Sequence, residues 1–228
     1  SDGIKRYVHI GTGNYHTGTA RLYGDLGIIS CREKLGWDVS RLFNELTGAI
    51  AAQEYNMLLV APHNMRERFI ALIRQEASNH KVGKPSGIKA KMNQLQDRQI
   101  IRELYLAGQA GVPISLNVRG LCSLRAGEPG LSETIRVYSI VGRFLEHSRI
   151  WAFGIGAPLP GDQAKIYISS ADAMSRNLNR RVETLVPMTN PTVHDQVLEQ
   201  VLLANLLDTE QSWLLDGETG EYHRVEDD

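Results

Sequence analysis

Cysteine is scarce. The 228 residues contain two, Cys31 and Cys122, far apart and in no CxxC or other metal-ligand spacing. That pattern excludes a disulfide-stapled scaffold and a cysteine-built zinc site, and it reads as free intracellular thiols. An excess of either charge is also lacking: 25 Lys and Arg stand against 26 Asp and Glu, a net charge of −1. No bulk field draws such a chain to nucleic acid or to anionic lipid, so a polyanion would have to be met by locally placed cations. Long apolar runs are missing as well. The longest, Met57 to Ala61 and Val201 to Leu207, are too short to span a bilayer. No leader segment is expected in the residues at hand, where 4–10 already alternate as a strand. A cytoplasmic protein is expected, and the start at Ser1 with little lead-in suggests a piece of a longer polypeptide.

What is present suits a folded domain. Hydrophobic residues make up 42% and charged residues 22%, enough apolar side chain for a core and too little charge for disorder. The strand at 4–10 runs into the Gly-rich turn Gly11-Thr12-Gly13-Asn14, and a helix is expected from Val39 to Asn56 with Asp38 as its N-cap. A short strand from Met57 to Ala61 leads to a helix capped by Asn64 and running to about Ser78, with Phe69, Leu72 and Ile73 as its apolar stripe. Strand 88–92, helix 97–109 and strand 112–118 then alternate, the pattern of a mainly parallel α/β sheet. Strands are expected within 135–153 and at 165–169, a helix over 193–207, and a hairpin over 213–225 turning at Asp216 to Gly220. A domain boundary is placed near Asn56. Residues 1–56 read as the end of one domain truncated at its start, and residues 57–228 as a second domain.

Two segments superimpose at a fixed spacing without gaps. Val8 to Asn14 reaches Asp25 eleven residues later, and Ile166 to Asp172 reaches Glu183 eleven residues later. Each is a strand, a turn of small residues, a polar group and then an acid, and each turn offers backbone N–H groups to phosphate oxygens. Upstream of the second copy, strand alternation sets His147 and Arg149 on one face. This resembles a degenerate half of the phospholipase D pattern, with Arg149 in the place of a lysine and the usual downstream aspartate not evident.

A closer resemblance covers nearly the whole chain. It rests on Tyr7-Val8-His9-Ile10-Gly11-Thr12-Gly13-Asn14-Tyr15, on Thr19 to Leu26 and on Asp38 to Asn44. It continues through Lys89-Ala90-Lys91-Met92-Asn93, Val118 to Cys122, Ser139 to Arg149, Tyr167 to Asp172 and Arg176 to Glu183. In these motifs the chain resembles the C-terminal region of the polyphosphate kinases, with a departure at His16-Thr17-Gly18, where many members carry Asn and Pro after the tyrosine. The resemblance implies an α/β fold of phospholipase D-like halves: a mixed, mainly parallel sheet flanked by helices, the second half complete and the first truncated. It implies reversible transfer of the terminal phosphate of ATP to inorganic polyphosphate through a phosphohistidine. That nucleophile, and the protein ligands of Mg²⁺, would lie upstream of this chain, which alone would show little activity. The implied partners are ATP or ADP and polyphosphate, with a homo-oligomer for the longer protein, no nucleic acid, and peripheral membrane association left open.

By the same resemblance Tyr23, Arg119 and His147 contact ATP. Tyr23 offers a flat ring and a hydroxyl. Arg119 follows the strand Ile114 to Val118, at the strand end where α/β sheets bind ligands, and its fork suits two phosphate oxygens. The cation Arg149 should favour a neutral His147 ring, able to act as an acid–base partner of the nucleophile. Phosphoryl transfer between polyanions needs several cations. Lys91, Arg143, Arg149, Arg176, Arg180 and Arg181 are the candidates, with Arg176 and Arg181 ranked first. Asp25 and Glu183 read as anchors for arginines or amides, and the other histidines as structural or exposed. Two other classes stay open: a phospholipase D-like phosphodiesterase, disfavoured by the absent lysine and aspartate, and a non-catalytic polyanion-binding module.

Overall fold

A computed structural model describes residues 4–51 and 54–225. In chain order it contains β1 (Val8–Gly11), β2 (Tyr23–Gly24), β3 (Gly27–Ser30), α1 (Glu33–Leu46), β4 (Leu59–Ala61), α2 (Met65–Lys81), β5 (Ile88–Met92), α3 (Arg98–Gln109), β6 (Ile114–Val118) and β7 (Ile135–Ile140). There follow β8 (Leu145–Glu146), β9 (Arg149–Phe153), β10 (Lys165–Ser169), α4 (Ser175–Arg180), β11 (Glu183–Pro187), α5 (Pro191–Asp195), β12 (Ser212–Leu215) and β13 (Tyr222–Arg224). Helix α5 runs on through a π-helical stretch (Gln196–Leu203) and a last turn (Ala204–Leu206).

Nine strands form one sheet in the order β13-β12-β7-β6-β5-β9-β10-β11-β4. The β5-β6-β7 centre is parallel, as the strand–helix–strand alternation implies, and its first crossover is α3. The remaining neighbours pair antiparallel, so the α/β class holds with a sheet that is parallel only in its middle. Helices α2 and α3 cover one face, where Phe69, Leu72, Ile73, Ile100 and Leu104 meet Ile88, Ala90, Trp151 and Phe153. The long helix after Asn190 covers the other, where Leu198, Leu202 and Leu206 meet Ile150, Ala152, Ile166 and Val186. Strand alternation divides these two apolar sets residue by residue.

The sequence duplication is visible in the register. β1 pairs antiparallel with β3, Val8 opposite Ser30 and Gly11 opposite Gly27; β10 pairs antiparallel with β11, Tyr167 opposite Pro187 and Ser169 opposite Leu185. Each turn closes identically. Thr12 N donates to Leu26 O (2.8 Å) and Leu26 N to Thr12 Oγ1 (2.9 Å), while Ser170 N donates to Thr184 O (3.0 Å) and Thr184 N to Ser170 Oγ (3.0 Å). The match continues into the helices, since α1 and α5 begin at equivalent positions. The second hairpin lies inside the large sheet, whereas β1 and β3 form a two-stranded sheet of their own among the described residues.

Some expected elements move. Helix α1 starts at Glu33 and ends at Leu46, and Asp38, expected to cap a helix over 39–56, lies buried inside it. Its carboxylate instead accepts from Asn56 N (2.9 Å), Asn56 Nδ2 (2.8 Å), Met57 N (2.6 Å) and Leu58 N (3.0 Å). Residues 52 and 53 of that expected helix lie outside the described residues. Asn64 stands at the start of α2, but its Oδ1 accepts from Val60 N (2.9 Å) rather than from the helix. Asp97 does cap α3, accepting from Gln99 N (3.1 Å) and Ile100 N (3.2 Å). β2, β3, α4 and β11 carried no alternation or helical period long enough to be read.

Candidate functional site

The two duplicated turns and the ends of β5, β6 and β9 converge on His147. β2 runs parallel to β8, and Gly24 O accepts from both His147 N and Ser148 N (3.0 Å each). This brings Tyr23 and Asp25, from the first copy, onto the histidine of the second. The Tyr23 and His147 rings lie 4.6 Å apart between centroids, tilted by 38°. His147 Nδ1 sits 2.9 and 3.0 Å from the two Asp25 oxygens. Arg149 Nη1 also lies 3.2 Å from Nδ1; because a carboxylate only accepts, the pairing with Asp25 favours the tautomer with its proton on Nδ1 and leaves Nε2 for chemistry.

Asp25 is itself held. Thr12 Oγ1 donates to its Oδ1 at 2.9 Å. Burial works to raise the Asp25 carboxyl, but the hydrogen bonds from His147 and Thr12 and the nearby Arg149 charge outweigh it and keep the group below its usual value. Gly13 packs so tightly on this carboxylate that a Cβ there would lie 2.0 Å from Asp25 Oδ2.

Arg149 is sealed, only 7% exposed. Its Nη1 donates to Thr12 O (2.7 Å) and His147 O (3.1 Å), and its Nε and Nη2 reach Asp172 at 3.3 and 2.9 Å. Asp172 accepts further from Asn93 N (2.7 Å) and Gln94 N (3.3 Å). The sequence reading had Arg149 as a phosphate contact and as the charge nearest the histidine. Arg149 Nη1 does lie 3.2 Å from His147 Nδ1, so the expected cation stands beside the ring together with Asp25, while its other contacts tie the first turn to the second. Asn93 links onward, with Nδ2 on His147 O (3.3 Å) and Oδ1 accepting from Arg119 Nε (3.1 Å). Among the described residues the two terminal amino groups of Arg119 have no hydrogen-bond partner, so the forked end remains available.

Tyr23, Arg119, His147 and Arg149 are thus brought together, and Lys91 joins them from β5, buried and ion-paired to Glu146. Arg176, Arg180 and Arg181 are exposed on and after α4, outside this hydrogen-bonded cluster, and Arg143 stacks on Phe144 at the surface. Glu183 occupies in the second copy the place of Asp25 in the first: Ser170 Oγ donates to it, as does Asn177 Nδ2 (3.1 Å). Burial raises its carboxyl above the ordinary value. Sequence reasoning missed Asn93 and Glu146 as site residues, and Asp25 as the partner of His147. The fixed eleven-residue spacing had singled out Asp25 but not its role.

A cavity of about 200 Å³ opens over the first turn, lined by His9, Gly11, Gly13, Asn14, Tyr15 and Asp25. Larger ones, of about 520 and 270 Å³, lie at the far ends of β10, β11 and β3, away from His147. Among the described residues no three His, Cys, Asp or Glu side chains gather as metal ligands. No helix there is long and apolar enough to cross a membrane.

Comparison with known proteins now decides the family. A family model described as polyphosphate kinase C-terminal domain 2 matches residues 58–228, and one described as polyphosphate kinase C-terminal domain 1 matches residues 1–52. The chain belongs to the polyphosphate kinase family. A polyphosphate kinase of Erythrobacter litoralis is 56% identical over 225 residues, 99% of this chain and 31% of the relative. One from Synechocystis is 54% identical over 93% of this chain and 28% of its own length. The crystal structure of the Porphyromonas gingivalis polyphosphate kinase superimposes with a TM-score of 0.91 at 37% identity, covering 98% of this chain and 33% of that one. The chain therefore spans under a third of the length of these curated polyphosphate kinases.

Proposed function

We propose that this chain provides the nucleotide- and polyphosphate-binding C-terminal part of an ATP:polyphosphate phosphotransferase. Its two units divide near residue 56, a reading supported by the family models that end at 52 and begin at 58. The observation that carries the function is the His147–Asp25 pair under the Tyr23 ring, with the open fork of Arg119 one residue's reach away. In the proposed reaction a histidine outside this chain attacks the terminal phosphorus of ATP, the bond to the bridging oxygen breaks, and ADP leaves. Polyphosphate then takes the phosphoryl group. Asp25 fixes the His147 tautomer, Nε2 exchanges a proton with a phosphoryl oxygen, and Arg119 neutralises charge on the triphosphate.

The duplication supports a place for the missing histidine. The position equivalent to His147 in the first copy falls before Ser1, and Glu183 is the equivalent of Asp25, so Glu183 would orient that histidine as Asp25 orients His147. Arg181 is likewise the equivalent of Tyr23, which favours it over the other exposed arginines as a phosphate contact. Mg²⁺ would arrive with the nucleotide and be liganded outside this chain, and assembly into a homo-oligomer would be a property of the longer polypeptide.

The test is His147→Ala in a polypeptide extended upstream as in the relatives. Loss of an acid–base partner should lower polyphosphate synthesis from ATP by about 10²–10⁴-fold. Near-normal turnover removes the role.

A further inference from the structure

β5 and β6 run parallel with Lys91 opposite Asn117, so the two side chains leave the same face of the sheet. Two positions on, Arg119 is tied to Asn93, which places Lys91 and Asn117 directly behind the open fork of Arg119. Neither residue is spent as a structural group should be. Asn117 is 1% exposed, yet among the described residues both its amide nitrogen and its amide oxygen lack a hydrogen-bond partner. A buried amide left unmade is costly and calls for an explanation. Lys91 is equally buried, and its ammonium has one counter-ion, Glu146.

The two ends of that ion pair differ. The Lys91 side chain is 1% exposed and that of Glu146 is 28% exposed, so the carboxylate stands between the ammonium and solvent. Glu146 sits on the two-residue β8, whose strand partner is the equally short β2, so its side chain can turn outward without disturbing the large sheet. An ammonium buried in this place is favoured by an anion beside it. Burial pushes Lys91 down, and the hydrogen bond and charge of Glu146, with Asp25 farther off, push it back up. Whatever displaces Glu146 must therefore be an anion.

We propose that Glu146 is a displaceable plug: its carboxylate holds the place on Lys91 that a phosphoryl oxygen of condensed phosphate takes, with Asn117 Nδ2 as the second donor of that subsite. This rests on the proposed reading of the Arg119 and His147 cluster as a polyphosphate site. The plug also supplies selectivity. An attached carboxylate competes at an effective concentration of order millimolar, which a single phosphate overcomes poorly. A chain already held at Arg119 presents its next unit at a comparable effective concentration and with more charge.

Calorimetric titration of the chain with sodium tripolyphosphate and with orthophosphate tests this, in the wild type, Glu146→Gln, Lys91→Met and the double variant. Removing the competitor should tighten tripolyphosphate by about tenfold, the worth of one charge-assisted hydrogen bond. It should also let orthophosphate bind, and the gain should vanish in the Lys91→Met background. Unchanged or weaker binding by Glu146→Gln, with the wild type binding normally, overturns the plug and leaves the site reading intact. An equal gain without Lys91 also overturns it. No tripolyphosphate binding by the wild type or by Glu146→Gln overturns both. Should Glu146→Gln fail to fold, the ¹⁵N signal of Lys91 Nζ in the wild type decides: it should shift on adding tripolyphosphate, and a static signal overturns the plug.

Discussion

Asp25 shows how much one side chain depends on a glycine and a threonine beside it. Gly13 leaves room for the carboxylate, Thr12 donates to it, and the carboxylate in turn aims the His147 ring. Gly13→Ala should push Asp25 aside and release the Nδ1 proton from its partner. Because the atoms met are the far end of a side chain, the stability change should stay within about 1 kcal/mol, while in the polypeptide extended upstream the proposed activity should fall like that of Asp25→Asn, by about 10²-fold. Equilibrium unfolding beside single-turnover kinetics checks both, and unchanged kcat in a folded Gly13→Ala protein removes Asp25 from the mechanism. The motifs around His147, Tyr23 and Arg119 single out residues that the structure brings together. The Asp25–His147 pairing was not legible in the sequence, because it spans 122 positions and no periodicity reports a contact between two chain segments that far apart. Arg149 stands beside the ring as strand alternation implies, but its contacts with Thr12 O and Asp172 could not be read for the same reason.

Elements with a long period or clear alternation were readable; short ones were not. β5, α3 and β6 stand where the pattern set them, and the duplicated hairpins keep the spacing seen in the sequence down to their paired residues. Strands β2 and β8 have two residues each, too few for any alternation to show, although they carry Tyr23 and Glu146. Helix α1 was misplaced because an aspartate before an apolar run looks like an N-cap. Asp38 instead spends its carboxylate on four donors from Asn56 to Leu58, stitching α1 to the segment that enters β4. Asp38→Ala should therefore cost about 3–5 kcal/mol, since it strands buried backbone donors as well as losing charge-assisted bonds. Urea unfolding measures this, and a loss below about 1 kcal/mol would mean that water replaces the clamp. Arg149→Met should cost about 3–5 kcal/mol by leaving Asp172 buried without its cation. Adding Asp172→Asn, which removes the unpaired charge but keeps an oxygen for Asn93 N, should recover part of that loss.

Across the whole molecule the two copies share geometry but not chemistry, and two pairs of equivalent positions show the difference. Tyr23 answers to Arg181, and Asp25 to Glu183. Asp25 is held below its usual value with its histidine in place, while Glu183 is raised by burial, opposed by the Ser170 hydrogen bond and the charges of Arg149 and Arg181. A carboxyl whose folded pKa is raised binds its proton more tightly folded than unfolded. Its contribution to stability is thus kept below the unfolded value, near 4.3, and lost as pH rises through the folded value. Glu183→Gln, neutral throughout, should then be more stable than the wild type at pH 7, the difference vanishing below about pH 4. The new amide can be accommodated, because Asn177 Oδ1 is buried without a partner and can accept from it once the Asn177 amide turns over. If Glu183 orients a histidine in the longer enzyme, the same substitution should slow polyphosphate synthesis while it stabilises the fold, the trade expected where a carboxyl is kept buried for function. Urea unfolding at pH 7 and pH 4, beside turnover in the extended polypeptide, separates the two effects. A Glu183→Gln protein less stable at pH 7 would show that its hydrogen bonds outweigh its burial, and full turnover would remove Glu183 as the counterpart of Asp25.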